Sequence, residues 1–400
     1  MKTYPPTRFS TSCLVFLCSL VGCSQAPQWT GSVETGSGIE VVSNPGEPLL
    51  GETAGLAREL WEVKGSNWVD PSRVHVQSGL IIVVDPQANQ VHVVTTSGDE
   101  RESLGHPGGG PGEFLRLLDA FRDGDKLVIL DGGKGSIEYL DADGNYLSSL
   151  HLDGQAWGGF PLDGEALLVK GEFLSDPSRE TFGDWVVVRK GSEPRAFTSQ
   201  PLHPLPEEQG VQCSDLSSWV EGAARLRFTT PQIQVFNQAG GLLMESRINL
   251  PVEVVSDSER ESALSELRRT QAARGLPPEF IEQSLVVMAE RWRVKCRFGP
   301  LRFDTSRRFA AFLEQNPDEF GSGNAALHFL SQDGVYLAQV AFPTAWRDFT
   351  LDDGVVYALT RNPGTDLITL RAFGVDLPES LFGDATRVLD AARQREIRHR

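Results

Sequence analysis

Histidine is the commonest acid–base group and metal ligand in proteins, so the seven histidines come first. They are His75, His92, His106, His151, His203, His328 and His399, and no two stand in an H-x-H or H-E-x-x-H spacing. No Gly-x-Ser-x-Gly elbow marks a nucleophile. Asp141-Ala142-Asp143-Gly144-Asn145 begins like a calcium loop, but Leu152 stands where the closing Glu belongs. Asp-Gly between two alternating segments reads instead as a hairpin turn. Gly105 to Gly112 is glycine-rich enough for a phosphate cradle. It lacks the Lys-Ser/Thr pair, and Pro107 and Pro111 remove two of the amides, so it reads as a connection. Trp61, Trp68, Trp157, Trp185, Trp219, Trp292 and Trp346 could stack on a sugar or peptide, although tryptophan in a strand-rich chain serves packing first. Catalytic and metal-ligating residues thus stay unassigned, and no cofactor motif is visible. Any site must be assembled from distant segments.

The five cysteines divide by position. Lys2 and Arg8 supply positive charge, no acidic residue precedes Glu34, and an apolar stretch runs from Cys13 to Val21. That stretch is shorter than the roughly 20 residues a bilayer span needs. These are the zones of an export signal, residues 1–22. The signal ends in Leu20-Val21-Gly22-Cys23, which is similar to the lipobox of bacterial lipoproteins. The resemblance implies cleavage before Cys23, a diacylglyceryl group on its thiol, and attachment to a membrane. Ser24 in place of Asp resembles proteins sorted to an outer membrane. The expected address is the cell envelope, with the soluble part in the periplasm or at the cell exterior. Cys213 and Cys296 remain. In an oxidising compartment they are expected to form one disulfide, with two separate buried thiols as the alternative.

The formal net charge is −17, and losing Lys2 and Arg8 with the signal makes the mature chain more acidic. Such a surface repels phosphate backbones, which excludes nucleic acid as a partner class, and it argues against a polybasic lipid anchor. Residues 23–55 are rich in Gly, Ser, Pro and Thr, and this composition reads as a flexible tether.

The elements that must position any site repeat along the rest of the chain. The unit is an apolar strand, a polar turn, a second strand and a turn with Asp, Asn or Gly. Its clearest copies are Gly79 to Asp85 with Gln90 to Thr95, and Gly124 to Asp131 with Ser136 to Asp141. Further copies pair Gly164–Val169 with Trp185–Arg189, Ala224–Phe228 with Ile233–Asn237, Phe309–Leu313 with Ala326–Leu330, and Gly354–Leu359 with Leu367–Arg371. A small antiparallel sheet cannot cover both its faces alone. Stacking such sheets radially around an axis does so and leaves only short edges. The expected fold is all-β, a six-bladed β-propeller over residues 56–378. Ala57 to Val63 is expected to pair with the last blade and close the ring.

Val83-Val84-Asp85, Val91-His92-Val93-Val94, Gly98 and Gly108-Gly109-Gly110-Pro111-Gly112-Glu113-Phe114 together resemble the repeat of NHL-type six-bladed β-propellers. The match is close over residues 79–145 and loose or poor elsewhere. The group includes bacterial lipoproteins with one propeller and a late helical insertion. The resemblance implies a fold, and the family's activities are too varied to imply a reaction.

The insertion spans residues 256–294. Ser256 with Glu259 forms a capping box, Gly275 suits a helix stop and Pro277-Pro278 starts a second helix, which predicts an α-helical hairpin lying over one end of the propeller. Residues 379–400 form a tail, with a helix expected from Asp384 to Ile397 and a poorly anchored end. Three functions follow as expectations. The first is a lipid-anchored, monomeric binding or scaffold module for a protein, peptide or glycan. The second is a metal-dependent lactonase- or lyase-type enzyme with its site in the central channel. The third is a structural accessory of an outer-membrane assembly, docked through the hairpin.

Overall fold

The computed structural model describes residues 29–51, 56–152, 154–163, 166–173, 184–189, 192, 195–197, 214–219, 222–227, 231–251, 254–273, 275–291, 298–304, 306, 309–315, 324–362, 365 and 367–399. Three strands precede the first repeat: β1 (Ser32–Gly36), β2 (Ile39–Asn44) and β3 (Ala57–Val63). Blade one is β4 (Arg73–Gln77), β5 (Leu80–Asp85), β6 (Gln90–Thr95) and β7 (Glu100–Leu104). Blade two is β8 (Leu117–Asp123), β9 (Lys126–Asp131), β10 (Ser136–Leu140) and β11 (Tyr146–His151). Blade three is β12 (Gly154–Asp163), β13 (Ala166–Phe173), β14 (Asp184–Arg189) and β15 (Arg195–Ala196). Blade four contains β16 (Ser214–Trp219), β17 (Gly222–Arg227), β18 (Gln232–Asn237) and β19 (Leu242–Ile248). Blade five is β20 (Phe298–Asp304), β21 (Phe309–Gln315), β22 (Ala325–Ser331) and β23 (Tyr336–Phe342). Blade six holds β24 (Trp346–Asp352), β25 (Val355–Arg361) and β26 (Ile368–Val375). The protein is a six-bladed β-propeller, as its repeat predicts.

Hydrophobic periodicity explains how the blades stack. Within β5 every side chain after Leu80 is buried, and the two faces serve different neighbours. Ile82 and Val84 pack with Leu117, Ala120 and Ile129 of blade two. Ile81 and Val83 pack with Tyr357, Leu359 and Leu370 of blade six. A strand covered on both faces reads as a continuous apolar run, which is why these central strands are the legible part of each copy. The ring closes where β3 pairs antiparallel with β26, from Ala57↔Val375 to Val63↔Leu370. The outermost strand of the last blade therefore comes from the N-terminal side, and the sheet order is β24-β25-β26-β3.

Within the tether expected at residues 23–55, the described residues 29–51 are folded onto the ring instead. β1 and β2 form a hairpin through Ser37 and Gly38, both at positive φ (52° and 79°). β2 then pairs parallel with β19, from Glu40↔Met244 to Asn44↔Ile248, so blade four has six strands. Trp29, Val33, Val42 and Leu49 are buried in the main core. Average composition conceals these few apolar residues because the polar ones between them face outward, which is the ordinary pattern of an edge hairpin.

The C-terminal helix also differs. α3 (Glu379–His399) begins five residues before the expected Asp384 and is anchored along its length. Leu381, Ala385, Leu389 and Ala392 are buried in the core, at helical spacing. Toward its end Arg393 makes a paired salt bridge with Glu40, at 3.0 and 2.8 Å, and Glu396 accepts the Thr35 amide at 2.9 Å. Two small alanines, Ala385 and Ala392, carry half of the buried stripe, so the anchoring is inconspicuous in the sequence.

The insertion folds as α1 (Asp257–Ala273) and α2 (Pro278–Arg291). The capping box is made: the Ser256 amide donates to Glu259 at 2.8 Å and the Glu259 amide to Ser256 Oγ at 3.3 Å. Arg268 to Glu282 and Ser284 to Gln271 join the helices to each other, while Phe280 and Val286 are exposed.

Candidate functional site

The motif residues are structural. Asp131 ends β9 and accepts amides from Leu115, Arg116, Gly133 and Lys134, at 2.8–3.2 Å, which clamps the entry to blade two. Asp85 does the same in blade one for Val69, Asp70 and Ala88. In the glycine-rich segment, Glu113 accepts the Gly110 amide at 2.7 Å, and Lys134 donates to the carbonyls of Gly110 and Glu113. Phe114 is fully buried and lies where a Cβ on Gly105 would sit, 2.0 Å away. This is a packed plug and leaves no phosphate cradle. The carboxylate of Asp141 accepts the amides of Asp143 and Asn145, at 3.0 and 2.8 Å, so it closes a turn.

Three of the expected site residues, Cys23, Cys213 and Cys296, lie outside the described residues, as do His203 and Trp292. Trp185 and Trp346 are buried, Trp61 donates to the Thr96 carbonyl and packs on Tyr357, and Trp68 packs on His92. His328 is buried between Tyr336 and Glu314, at 2.8 and 2.5 Å, and stacks on Phe312. His106 pairs with Glu113 at 3.2 Å on the surface.

The residues that do converge are those on the innermost strands, which carry little apolar pattern. β4, β8, β12, β16, β20 and β24 each form one edge of their sheet and touch their counterparts in adjacent blades around the axis. β8, β12 and β24 share a bulge near their start, before Asp119, Gly158 and Asp348. A bulge re-aims the side chain that follows it. Asp348 accordingly accepts the Val74 amide of the next blade at 3.0 Å, and Asp119 accepts the Gly159 amide of the blade after it at 3.3 Å. The two carboxylates each take a cation as well. Arg302 of β20 donates to Asp348 at 2.7 Å and to the Phe349 carbonyl at 2.8 Å. His75 Nε2 lies 2.9 Å from Asp119, and Arg73 lies 3.9 Å from it.

Arg73 marks the channel itself. Its guanidinium donates to the Trp157 carbonyl at 3.3 Å, and Trp157 belongs to blade three, which is not a neighbour of blade one. Gly158 leaves the room: a Cβ there would stand 3.3 Å from Asp119 and 3.6 Å from Arg73. Asp119 is buried while Arg73 and His75 keep 38% and 22% of their side chains accessible. Burial alone pushes the Asp119 carboxyl up, but His75, Arg73 and the Ala120 amide outweigh it and hold the group below the ordinary range. The buried carboxylate is therefore ionised and orients the imidazole.

Sequence reasoning missed this cluster. Arg73, His75 and Asp119 lie on short strands of mixed polarity, and their signal in the sequence is no more than a polar residue five to seven positions before an apolar strand. Among the described residues, no three His, Cys, Asp or Glu side chains are grouped to hold a metal ion, and no helix is long and apolar enough to cross a membrane.

Residues 64–182 match a family profile described as a 6-bladed beta-propeller. Among solved structures, a member of the duf4221 family from Bacteroides vulgatus matches with a TM-score of 0.53 at 10% identity, covering 80% of this chain and 97% of that one. Virginiamycin B lyase from Staphylococcus aureus gives 0.43 at 8% identity, over 80% of this chain and 100% of that one. BamB from Moraxella catarrhalis gives 0.37 at 11% identity, over 76% of this chain and 84% of that one. At these identities the likeness is one of fold alone. No curated protein sequence matches the chain.

Proposed function

We propose that the protein is a lipid-anchored binding module of the cell envelope, an NHL-like propeller held to a membrane through Cys23, with a protein or peptide ligand. The observation that carries the binding reading is the use of the inner-strand carboxylates. Asp119 and Asp348 are buried, and each holds a cation and a backbone amide of an adjacent blade. They act as braces of a rigid ring, and a rigid ring presents preorganised faces at low entropic cost. Val69 and Leu115 are 59% and 53% exposed, in the segments that lead into the innermost strands β4 and β8. Membrane attachment rests on the lipobox resemblance and the export signal. Trp29 is already packed, and five residues, 24–28, separate it from Cys23. Such a connection reaches about 20 Å when extended, which holds the propeller close to the bilayer.

The test is photocrosslinking in cells of the native host, with a photoreactive residue at Leu115 or Val69 and, for comparison, at exposed Arg387 on α3. A discrete adduct from the first two positions only is the expected result. No adduct from either, or the same adducts from all three, overturns the reading of this face as a binding surface.

A further inference from the structure

Resting on the binding reading above, we infer that the channel mouth between blades one and two recognises a secondary amide, the main chain of an extended peptide, through Arg73 and His75. The chemistry follows from which proton sits where. Asp119 is ionised, so the ring nitrogen 2.9 Å from it, His75 Nε2, carries the hydrogen. In the neutral ring Nδ1 is then a lone-pair acceptor. Among the described residues Nδ1 has no hydrogen-bond partner, and it is not sealed from water. Arg73, two residues earlier on the same face of β4, offers N–H donors and remains 38% accessible.

Charge selects the ligand class. Arg73 and Asp119 cancel, so an anion meets Asp119 and a cation meets Arg73. A neutral ligand with an acceptor and a donor along one edge satisfies both exposed partners: one amide's carbonyl accepts from Arg73 and a neighbouring amide's N–H donates to His75 Nδ1, because the two groups of a single trans amide point in opposite directions. An extended peptide main chain is such a ligand. Arg73 and His75 are separated along β4 by about 6.6 Å, two strand residues, which is also the repeat of same-edge groups along an extended peptide. Exposed Val69 and Leu115, in the segments that lead into β4 and β8, suit peptide side chains better than sugar hydroxyls.

The test uses the mature protein with ¹⁵N-labelled histidine, His75 being assigned by its loss in His75→Gln. N-acetylglycine methylamide supplies amide N–H groups, and N-acetylsarcosine dimethylamide supplies the carbonyls without them. The Nδ1 resonance of His75 should move saturably with the first and stay still with the second, and Arg73→Gln should weaken the response about tenfold, the value of one hydrogen bond. An equal response to both compounds, no response to either, or an unchanged affinity in Arg73→Gln overturns the inference. Adducts at Leu115 with a silent His75 would remove the amide site alone. A responsive His75 without adducts would remove the envelope-partner reading instead.

Discussion

The Tyr336 amide donates to the side-chain oxygen of Asn44 at 2.9 Å across a sequence separation of 292 residues. Asn44 also donates to the Gly334 carbonyl at 2.9 Å and to Ser246 Oγ at 3.1 Å, so one buried side chain ties β2 to blades four and five. The main chain reinforces it, with Leu49 and Leu50 donating to the carbonyls of Tyr336 and Leu337 at 3.0 and 2.9 Å.

Asn44→Leu should therefore destabilise the fold strongly. It removes the acceptor of the buried Tyr336 amide, while Ser246 Oγ still donates to the Gly334 carbonyl at 2.7 Å, so a loss of about 1–3 kcal/mol is expected in denaturant titration. Deleting residues 24–50 should lower the melting temperature as well. A deletion variant as stable as the full mature chain would show that the N-terminal hairpin is dispensable.

Asp119 should make stability fall in acid. Its folded pKa lies below the unfolded value near 3.8, so its contribution is complete above pH 3.8 and is lost as pH drops through the folded value. Asp119→Asn should be less stable than wild type at pH 7 by roughly 2–3 kcal/mol, because Arg73 loses its buried counter-charge and His75 its carboxylate acceptor. The gap should close below pH 3.8. Equal stability at pH 7, or a gap that grows in acid, would contradict the bracing role.

Tyr357 should resist ionisation. Burial first, and then the carboxylates of Asp352, Asp353 and Asp304, push its hydroxyl up to about 12. The folded state favours the neutral phenol, so this contribution is present below pH 10 and is lost between pH 10 and 12. Alkaline difference spectroscopy should show a late-titrating component that loses one tyrosine in Tyr357→Phe, the rest including Tyr139, which burial and then Asp123 also push up. An unchanged titration curve in that variant would refute the shift.

Labelled palmitate should mark the wild type and not Cys23→Ala, which should leave the membrane or stay unprocessed. Equal membrane retention of both without label would sink the anchor. Non-reducing peptide mapping of the same material should recover one fragment joining Cys213 to Cys296. The loop so closed contributes about 4–5 kcal/mol by chain entropy. Full alkylation of both thiols without reductant would exclude the bond.

The central strands of all six blades could be found from sequence because both of their faces are buried. Runs such as Leu80 to Val84 and Leu127 to Leu130 must then be apolar throughout, and that signal survives without any tertiary knowledge. Ring closure by Ala57–Val63 was legible for a related reason: a ring needs a last strand to join its first and last blades, and this segment stands ahead of the first repeat. The helix caps were equally local. What the chain could not disclose is whatever depends on a partner far away in sequence. Val33 and Val42 become core only because β19 stands beside β2, and Ala385 and Ala392 only because a blade lies under α3. Arg73, His75 and Asp119 are ordinary polar residues on three-dimensional neighbours. It is the bulge before Asp119 and the approach of blades one, two and three at the axis that turn them into one site, and such geometry has no expression in residue type or spacing.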